Sequence, residues 1–132
     1  MIFIDTGAFL ARHHGSDQYH AEAVRKWREL TESNLRLFTS NIVIVETITL
    51  LARRLSHPFA AERARNMYAD EEVSILRPAA EDERAAIPIF EKYADVRVSF
   101  TDCITCVLMR RHKIRRVFGF DRHFADMGFE FL

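Results

Sequence analysis

Four carboxylates stand apart from the rest of the 19 acidic residues by their surroundings. Asp5 and Asp121 each follow a short apolar segment, Glu46 lies within a long apolar run, and Asp102 opens a helical pattern. Carboxylates that cluster resist ionising together unless a cation joins them. Magnesium and manganese prefer oxygen ligands and leave room for water and a substrate phosphate. If the fold brings the four acids together, the pattern indicates a metal centre for displacement at phosphorus.

The segment around Asp5 predicts where such a centre would lie. Ile2, Phe3 and Ile4 form a continuous apolar run with strong β preference, typical of a strand buried on both faces of a parallel sheet. Functional groups in such sheets gather beyond the carboxyl ends of the strands, where Asp5 stands. The same residue could instead only cap a helix that starts near Ala8. Both interpretations are open from this segment alone.

Glu46 and Asp102 depend on two predicted helices. The β-branched residues 42–45 would suit a strand, but the apolar spacing and basic end of the run over 42–55 favour a helix. On that helix Glu46 has apolar neighbours three and four positions away, which is an unusual setting for a carboxylate. Asp102 stands three residues after Ser99, the spacing of a capping box, so a helix is predicted to start there.

Helical and extended patterns alternate along the whole chain. Strands are predicted at 2–4, 35–39, 73–76, 116–120 and 129–132, and helices at 8–14, 18–32, 42–55, 59–70, 81–93 and from Ser99 onward. This alternation predicts an α/β fold in three layers, with a parallel sheet covered by helices on both faces. A single domain over residues 1–132 has the size for one hydrophobic core.

Composition excludes several classes of protein. Hydrophobic residues make up 48% and charged residues 29%, while 4 glycines and 3 prolines are too few for a disordered or turn-rich all-β chain. No segment reaches the ~18 apolar residues of a membrane span. No signal sequence is recognisable, so a cytoplasmic protein is expected.

The formal net charge is zero, so binding to a polyanion would depend on local patches. The densest patch begins at the end of the predicted Asp102 helix and consists of Arg110, Arg111, Lys113, Arg115 and Arg116. We call the first four of these residues the basic cluster. Basic residues at this place stabilise the negative end of a helix. They could also bind RNA phosphates or receive an acidic partner.

Three other signals point to different chemistry. Residues 5–8, Asp-Thr-Gly-Ala, match the core of a retroviral-type aspartic protease, but those enzymes are all-β and rich in glycine. Cys103 and Cys106 form a C-x-x-C pair, for which two small core residues on a helix are the preferred interpretation, because neighbouring Asp102 would raise a thiol pKa. His123 could contact a substrate phosphate or serve only the structure.

Taken in order, the acidic segments resemble the motifs of PIN-domain ribonucleases. The matching stretches are residues 2–6, 39–46, 99–102 and 118–124, and they span nearly the whole chain. The chain is most similar to the small prokaryotic PIN proteins that act as VapC-type toxins. One position departs from the family pattern. Two residues before Asp121, where the family often has Thr or Ser, this chain has Gly119, so a supporting hydroxyl is missing.

This resemblance implies a five-stranded parallel sheet and a Mg²⁺- or Mn²⁺-dependent endoribonuclease that hydrolyses RNA phosphodiester bonds. The resemblance assigns a catalytic role and metal binding to four acids, which we call the acidic quartet: Asp5, Glu46, Asp102 and Asp121. It assigns supporting hydroxyls to Thr6 and Thr101. A PIN-like module that only binds RNA or protein is the alternative, but such a module does not need all four acids.

The same resemblance implies a homodimer and an antitoxin partner that silences the enzyme. The predicted helix over 42–55 carries more apolar positions than one face can bury, among them Val45 and Leu51, which predicts a contact such as a two-fold interface. An antitoxin is expected to block the site by presenting a positive side chain to the carboxylates.

Overall fold

Five strands and seven helices make up the computed structural model, which describes residues 1–132. The strands are β1 (Ile2–Ile4), β2 (Leu37–Ser40), β3 (Val73–Leu76), β4 (Arg116–Phe118) and β5 (Glu130–Phe131). The helices are α1 (Thr6–His13), α2 (His20–Thr31), α3 (Asn41–Arg54), α4 (His57–Ala69), α5 (Ala80–Lys92), α6 (Phe100–Arg111) and α7 (His123–Asp126), with a 3-10 turn at Ala94–Val96. All strand pairs are parallel, so the predicted α/β fold with a five-stranded parallel sheet is confirmed.

β1 lies at the centre of the sheet, whose order is β3-β2-β1-β4-β5. Its residues Ile2, Phe3 and Ile4 are fully buried, as their continuous apolar run predicts. Ile2 pairs with Leu37 on one side, and Ile4 pairs with Phe118 on the other. Truncating Phe3 to Ala would leave a cavity here and cost about 3–5 kcal/mol of stability.

The connections place helices on both faces of the sheet. From β1 to β3 the chain moves outward in one direction, and α1 to α4 pack against one another along the way. α5 and α6 then pack together and lead back across the sheet to β4, on the other side of β1. Because crossovers between parallel strands are right-handed, this reversal moves α5 and α6 to the opposite face. The strand order therefore changes direction between β1 and β4, where a crevice opens at the carboxyl ends of the strands.

Helix starts follow capping signals in the sequence. Ser40, Ser56 and Ser99 cap α3, α4 and α6, each by accepting a hydrogen bond from the backbone N–H three residues further on. The β-branched residues 42–45 are helical within α3, as predicted. β4 ends at Phe118, two residues before its predicted end, since the chain bends there. None of the seven helices has the length and hydrophobicity that a membrane span requires.

Candidate active site

The carboxyl ends of β1 and β4 border a pocket of about 270 Å³. The residues that line it are Asp5, Thr6, Gly7, Glu46, Leu50, Arg97, Ser99, Asp102, Asp121 and His123. The fold therefore brings all four members of the acidic quartet together from distant parts of the chain. Asp5 directly follows β1 and Asp121 follows the bend after β4, so two of the acids stand where the strand order changes direction.

Asp5 is both the N-cap of α1 and the most buried acid of the quartet. Its Oδ2 atom accepts a long hydrogen bond of 3.5 Å from the Gly7 N–H, so α1 starts at Thr6 rather than at the predicted Ala8. Its Oδ1 atom is buried without a hydrogen-bond partner. Burial, followed by the negative charge of Asp102, raises the pKa of Asp5 from 3.8 to about 7. Asp5 therefore caps a helix and also lines the pocket.

Glu46 is oriented by a hydroxyl from the facing helix. It lies half-buried on α3, and its Oε2 atom accepts a 2.6 Å hydrogen bond from the Thr6 hydroxyl at the start of α1. Hydrogen bonds to a charged acceptor are shorter and stronger than those between neutral groups. Thr6 therefore supports the quartet by holding Glu46 at the pocket.

Asp102 is held by the predicted capping box at the start of α6. The Ser99 hydroxyl accepts a 3.1 Å hydrogen bond from the Asp102 N–H, and Asp102 Oδ2 accepts a 3.3 Å bond from the Ser99 N–H. Burial, together with the charges of Asp121 and Glu46, raises the pKa of Asp102. The box fixes the carboxylate at the pocket, whereas neighbouring Thr101 does not line it.

Asp121 and His123 share one loop after β4. Asp121 Oδ1 accepts a 3.0 Å hydrogen bond from the His123 N–H, which fixes the local turn. The His123 Nδ1 atom lies 3.0 Å from the same oxygen and 4.0 Å from Asp102 Oδ2. The angles do not suit a hydrogen bond, so this buried nitrogen has no partner. The His123 imidazole lines the pocket, a position from which it could contact a substrate phosphate.

These groups fit a hard divalent cation. One ligand atom each from Asp102, Asp121 and His123 lies within 4.8 Å of the others. Across the pocket, the unpartnered Asp5 Oδ1 is a buried acceptor with no donor, a costly arrangement that a cation would relieve. The set is dominated by carboxylate oxygens, which suit magnesium or manganese better than thiolate-binding metals.

Arg97 is a pocket residue that no sequence pattern marks. It follows the 3-10 turn with a left-handed backbone, φ 54°, and is exposed at the pocket edge. It is the only arginine or lysine that lines the pocket. An arginine in this place can pair with a carboxylate or bind a phosphate in a bidentate manner. Its position depends on the turn before α6, which the sequence shows only as an irregular stretch.

Gly119, the departure from the family pattern, is packed against Asp5. A Cβ atom at position 119 would lie 3.1 Å from the Asp5 Cβ and 3.4 Å from its Oδ2. These separations are tighter than ordinary van der Waals contact, so Asp5 occupies the space where a Ser or Thr side chain would begin. A side chain at position 119 would therefore require Asp5 to move by a few tenths of an ångström.

The basic cluster lies away from the pocket, at the other end of α6. Its first member, Arg110, lies eight positions after Asp102, about 12 Å along the helix axis. Arg110 donates a 3.1 Å hydrogen bond to the Met127 carbonyl, and Arg111 forms an ion pair with Asp82. All four members are exposed to solvent, and Lys113 and Arg115 form no hydrogen bond or ion pair through their side chains. The structure does not bring this cluster to the acidic quartet.

The competing chemical signals find no support in the structure. Cys103 and Cys106 are free, buried thiols on α6, and burial raises the pKa of Cys103 to about 11. Burial also raises the pKa of Cys106, so neither is activated as a thiolate. The parallel α/β fold is incompatible with the all-β architecture of the retroviral-type proteases that residues 5–8 resemble.

Residues 2–130 match the family described as the PIN domain. The chain belongs to the PIN-domain family. A relative of this PIN domain is the 23S rRNA-specific endonuclease VapC20 of Mycobacterium tuberculosis strain H37Rv. It is 32% identical over 129 residues, which cover 98% of this chain and 95% of the relative. The same protein from strain CDC 1551 / Oshkosh matches to the same extent.

Solved structures agree with this membership. The crystal structure of Mycobacterium tuberculosis VapC20, described as a Sarcin-Ricin loop cleaving toxin, matches this PIN domain with a TM-score of 0.90. The two are 29% identical, over 98% of this chain and 96% of that one. DNA-bound VapBC from Salmonella typhimurium has the same fold, with a TM-score of 0.69 and 13% identity over 99% and 96% of the chains. The predicted similarity to VapC-type PIN proteins is confirmed.

Proposed function

We propose that this PIN domain is an endoribonuclease and the toxin of a toxin–antitoxin pair. The observation that carries the proposal is one pocket in which four carboxylates converge and a buried Asp5 oxygen has no donor. Such a pocket is unfavourable by itself and suits a cation and a phosphate. The relative VapC20 is called a 23S rRNA-specific endonuclease, which supports RNA as the substrate class.

We infer that Mg²⁺ or Mn²⁺ is the cofactor and that the acidic quartet holds it, with His123 beside it. When bound, such an ion stabilises the charge on the phosphate and lowers the pKa of a bound water. Asp5 and Asp102 are suited to a rigid site because each is anchored at the start of a helix. The Thr6 hydroxyl orients Glu46 through Oε2, and Oε1 is available for the ion or for a water in its shell.

RNA binding by a chain of zero net charge must use local cations. Arg97 stands at the pocket, and we propose that it contacts the phosphate next to the cleaved bond. Binding of RNA by the basic cluster stays a prediction. Its two members without a hydrogen bond or ion pair, Lys113 and Arg115, would contact the backbone about 12 Å or more from the pocket.

We further propose that an antitoxin inhibits this protein by presenting an arginine or lysine to the quartet. The pocket is open to solvent at Asp121, whose side chain is 43% exposed, so a partner's side chain has access. A cation that pairs with two carboxylates would relieve their repulsion in the same way as the metal. Inhibitor and metal would then compete for one site.

We propose a homodimer as well, but through a different surface from the one predicted. On α3, Leu51 is fully buried beside α1 and α4, and among its large apolar residues only Val45 is exposed. Packing of α1 and α4 covers part of the apolar surface of this helix within the chain, which the sequence pattern could not show. An interface on α3 has less exposed apolar surface than predicted, and it stays a prediction.

A better candidate interface lies at the end of α5 and the start of α6. We call it the apolar patch, and its members are Ile87, Phe90, Val96 and Phe100, which are 39% to 47% exposed. Phe90 and Phe100 contact each other edge to face, with ring centroids 5.6 Å apart. Clustered exposed apolar side chains mark contact surfaces more strongly than single ones do.

Sequencing of RNA ends after brief expression tests the proposed function. The wild-type protein is expected to create new 5′ ends at one or a few RNA positions, and the Asp102→Asn variant to create none. Purified protein should cut the same RNA in Mn²⁺ and stop in EDTA. If the RNA ends are unchanged while the protein still binds RNA, the binding-module alternative replaces the nuclease.

A further inference from the structure

Five aromatic rings form a continuous series from the core to the surface beside α1. We call them the aromatic row: Phe9, Trp27, Phe118, Phe120 and Tyr19. Successive ring centroids along the row lie 5.3, 6.0, 6.2 and 4.4 Å apart. The first three rings are buried, whereas Tyr19 is 39% exposed. The row therefore ends in an aromatic ring that solvent can reach.

The outer end of the row lies at the rim of the acidic pocket. A Cβ atom at Gly7 would lie 3.9 Å from Phe120 Cδ2 and 4.0 Å from Asp5 Oδ2, so the ring and the carboxylate flank the same point. Asp121 of the quartet directly follows Phe120 in the chain. Tyr19 stacks on Phe120 almost in parallel, at an interplanar angle of 3°. Only the Phe120 ring therefore lies between the exposed Tyr19 ring and Gly7, a residue that borders the pocket.

The backbone around Tyr19 holds this ring in place. The Tyr19 N–H donates a 2.8 Å hydrogen bond to Asp17 Oδ1, and its carbonyl accepts one of 2.8 Å from the Ala23 N–H. The next residue, His20, contacts the Ala11 carbonyl through Nδ1 at 2.7 Å, which ties the segment to the end of α1. A ring that is already ordered loses little conformational freedom when a ligand stacks on it.

We propose that Tyr19 is a base-stacking subsite, on which an unpaired base of the RNA close to the cleaved bond lies. The proposal rests on the endoribonuclease function proposed above. Proteins that bind unpaired RNA commonly place its bases on exposed aromatic rings, because every base has a π-face. Here the inner face of Tyr19 is covered by Phe120, which leaves the outer side for the base. The acids at the pocket would hold the reacting phosphate, and Tyr19 would set which nucleotide stands beside it.

Local charge favours RNA over an apolar peptide as the occupant. The Lys26 ammonium lies 5.9 Å from the centre of the Phe120 ring, and exposed Arg122 directly follows Asp121. Lys26 is paired with Glu22 at 2.9 Å and donates to the Leu132 carbonyl, so Arg122 is the cation left at this end of the row for a phosphate joined to a stacked base. The apolar patch, by contrast, lies on α5 and α6 and shares no residue with the aromatic row.

Steady-state cleavage of a short RNA that contains the mapped cleavage site tests the subsite. Abasic residues are placed one at a time at the three positions on either side of the cleaved bond. For the wild-type protein, one position is expected to raise KM about tenfold with little change in kcat. Tyr19→Leu should raise KM about tenfold on intact RNA and show no further rise with the sensitive abasic RNA. Tyr19→Phe keeps an aromatic ring and should keep the sensitivity to the abasic position, whereas Tyr68→Leu, at an exposed tyrosine on α4, is the matched control that should keep the wild-type KM.

The outcomes distinguish failure of the base-stacking subsite from failure of the endoribonuclease function on which it rests. If the wild-type protein cuts no RNA, the endoribonuclease function fails, and the subsite fails with it. If cleavage is normal but no abasic position changes the wild-type KM, the subsite alone is wrong. The abasic series uses only the wild-type protein, so this result stands even if Tyr19→Leu does not fold. A Tyr19→Leu variant that folds and keeps the wild-type KM would also overturn the proposal.

Discussion

The Thr6 hydroxyl donates a 2.6 Å hydrogen bond to Glu46 Oε2, although the two residues are 40 positions apart in sequence. The bond joins the first turn of α1 to the middle of α3 and crosses the wall of the pocket. Thr6 directly follows Asp5, so a single backbone segment both supplies one acid of the quartet and orients another. Displacing Thr6 would therefore disturb two of the four carboxylates at once.

Replacing Thr6 with Val tests the orienting role. The variant keeps the shape of the side chain but removes the donor, so we expect RNA cleavage to fall about tenfold and stability to fall by about 1 kcal/mol. Thr6→Ser should restore most of the rate, because the hydroxyl returns. Thr49→Val is the control, since Thr49 donates only to the Val45 carbonyl on the exposed side of α3. Full activity of Thr6→Val would show that Glu46 needs no orienting donor.

Asp5→Asn is expected to stabilise the metal-free protein at alkaline pH. The pKa of Asp5 is about 7 in the folded state and 3.8 in an ordinary environment, so the folded state binds more protons between these values. Stability contributed by this group is complete below about pH 4, falls as the pH rises, and levels off above pH 7. The variant lacks this loss and should exceed the wild-type stability by about 4 kcal/mol at pH 8 and by little at pH 4.

Denaturant unfolding in EDTA at several pH values measures the effect of Asp5→Asn. The control is Asp95→Asn, which changes an exposed aspartate outside the pocket and should reproduce the wild-type pH dependence. Equal stability of Asp5→Asn and wild type at pH 8 would mean that solvent or a neighbouring group already relieves the buried charge. The Asn variant should be inactive in RNA cleavage at every pH.

Metal binding should stabilise the folded protein. Addition of Mg²⁺ or Mn²⁺ at 100 times its Kd is expected to add about 2.7 kcal/mol, which thermal unfolding detects as a higher Tm. The apparent affinity should rise as the pH approaches 7, because Asp5 must lose its proton to become a ligand. Asp102→Asn should lose both the stabilisation and RNA cleavage. Cleavage that proceeds equally well in EDTA would rule out a metal cofactor.

Salt dependence of RNA binding separates Arg97 from the basic cluster. Removing one cation that neutralises a phosphate lowers the slope of log K against log salt by about 0.7 to 0.9. We expect this decrease for Arg97→Gln and, if the cluster binds RNA, about twice as much for the double variant Lys113→Gln with Arg115→Gln. Arg65→Gln, on the exposed face of α4, is the control. An unchanged slope for the double variant would limit the cluster to a structural role.

A charged side chain introduced into a dimer interface should separate the subunits, so substitutions on the two candidate surfaces distinguish between them. Phe100→Glu, in the apolar patch, should convert a dimer into a monomer, whereas Val45→Glu on α3 should leave the mass in solution unchanged. Sedimentation velocity at micromolar concentration measures both. Both positions are exposed in the single chain, so folding should be preserved. A wild-type monomer under these conditions would remove the dimer proposal and leave the nuclease proposal intact.

Structural features that depend on a few neighbouring residues could be predicted from the sequence. The apolar run of β1, the Ser99 to Asp102 capping box and the helical run of α3 all depend on local preference, and the structure contains each of them. Because the ends of parallel strands share one edge, Asp5 and Asp121 could also be expected to meet. The roles of these acids depend on a cation and on RNA, so they stay predictions.

Features that depend on packing between distant segments could not be predicted. Arg97 reaches the pocket because of a turn with a left-handed residue, which has no clear sequence signature. Most apolar residues of α3 are at least half-buried, with Val45 as the exception, whereas those of the apolar patch are exposed, and periodicity alone does not distinguish the two cases. The basic cluster is placed by the length of α6, which carries it away from the acid at its other end.

The central position of β1 has a consequence for synthesis of the protein. Ile4 pairs with Phe118, which is 114 positions later in the chain, and Asp121 follows beyond it. At roughly 5–20 residues per second, β1 leaves the ribosome about ten seconds before its second neighbour does. Until then one edge of β1 is unpaired, and the pocket lacks its β4 wall. A nascent chain therefore lacks the complete acidic quartet, and with it the proposed nuclease activity, until the segment after β4 has emerged.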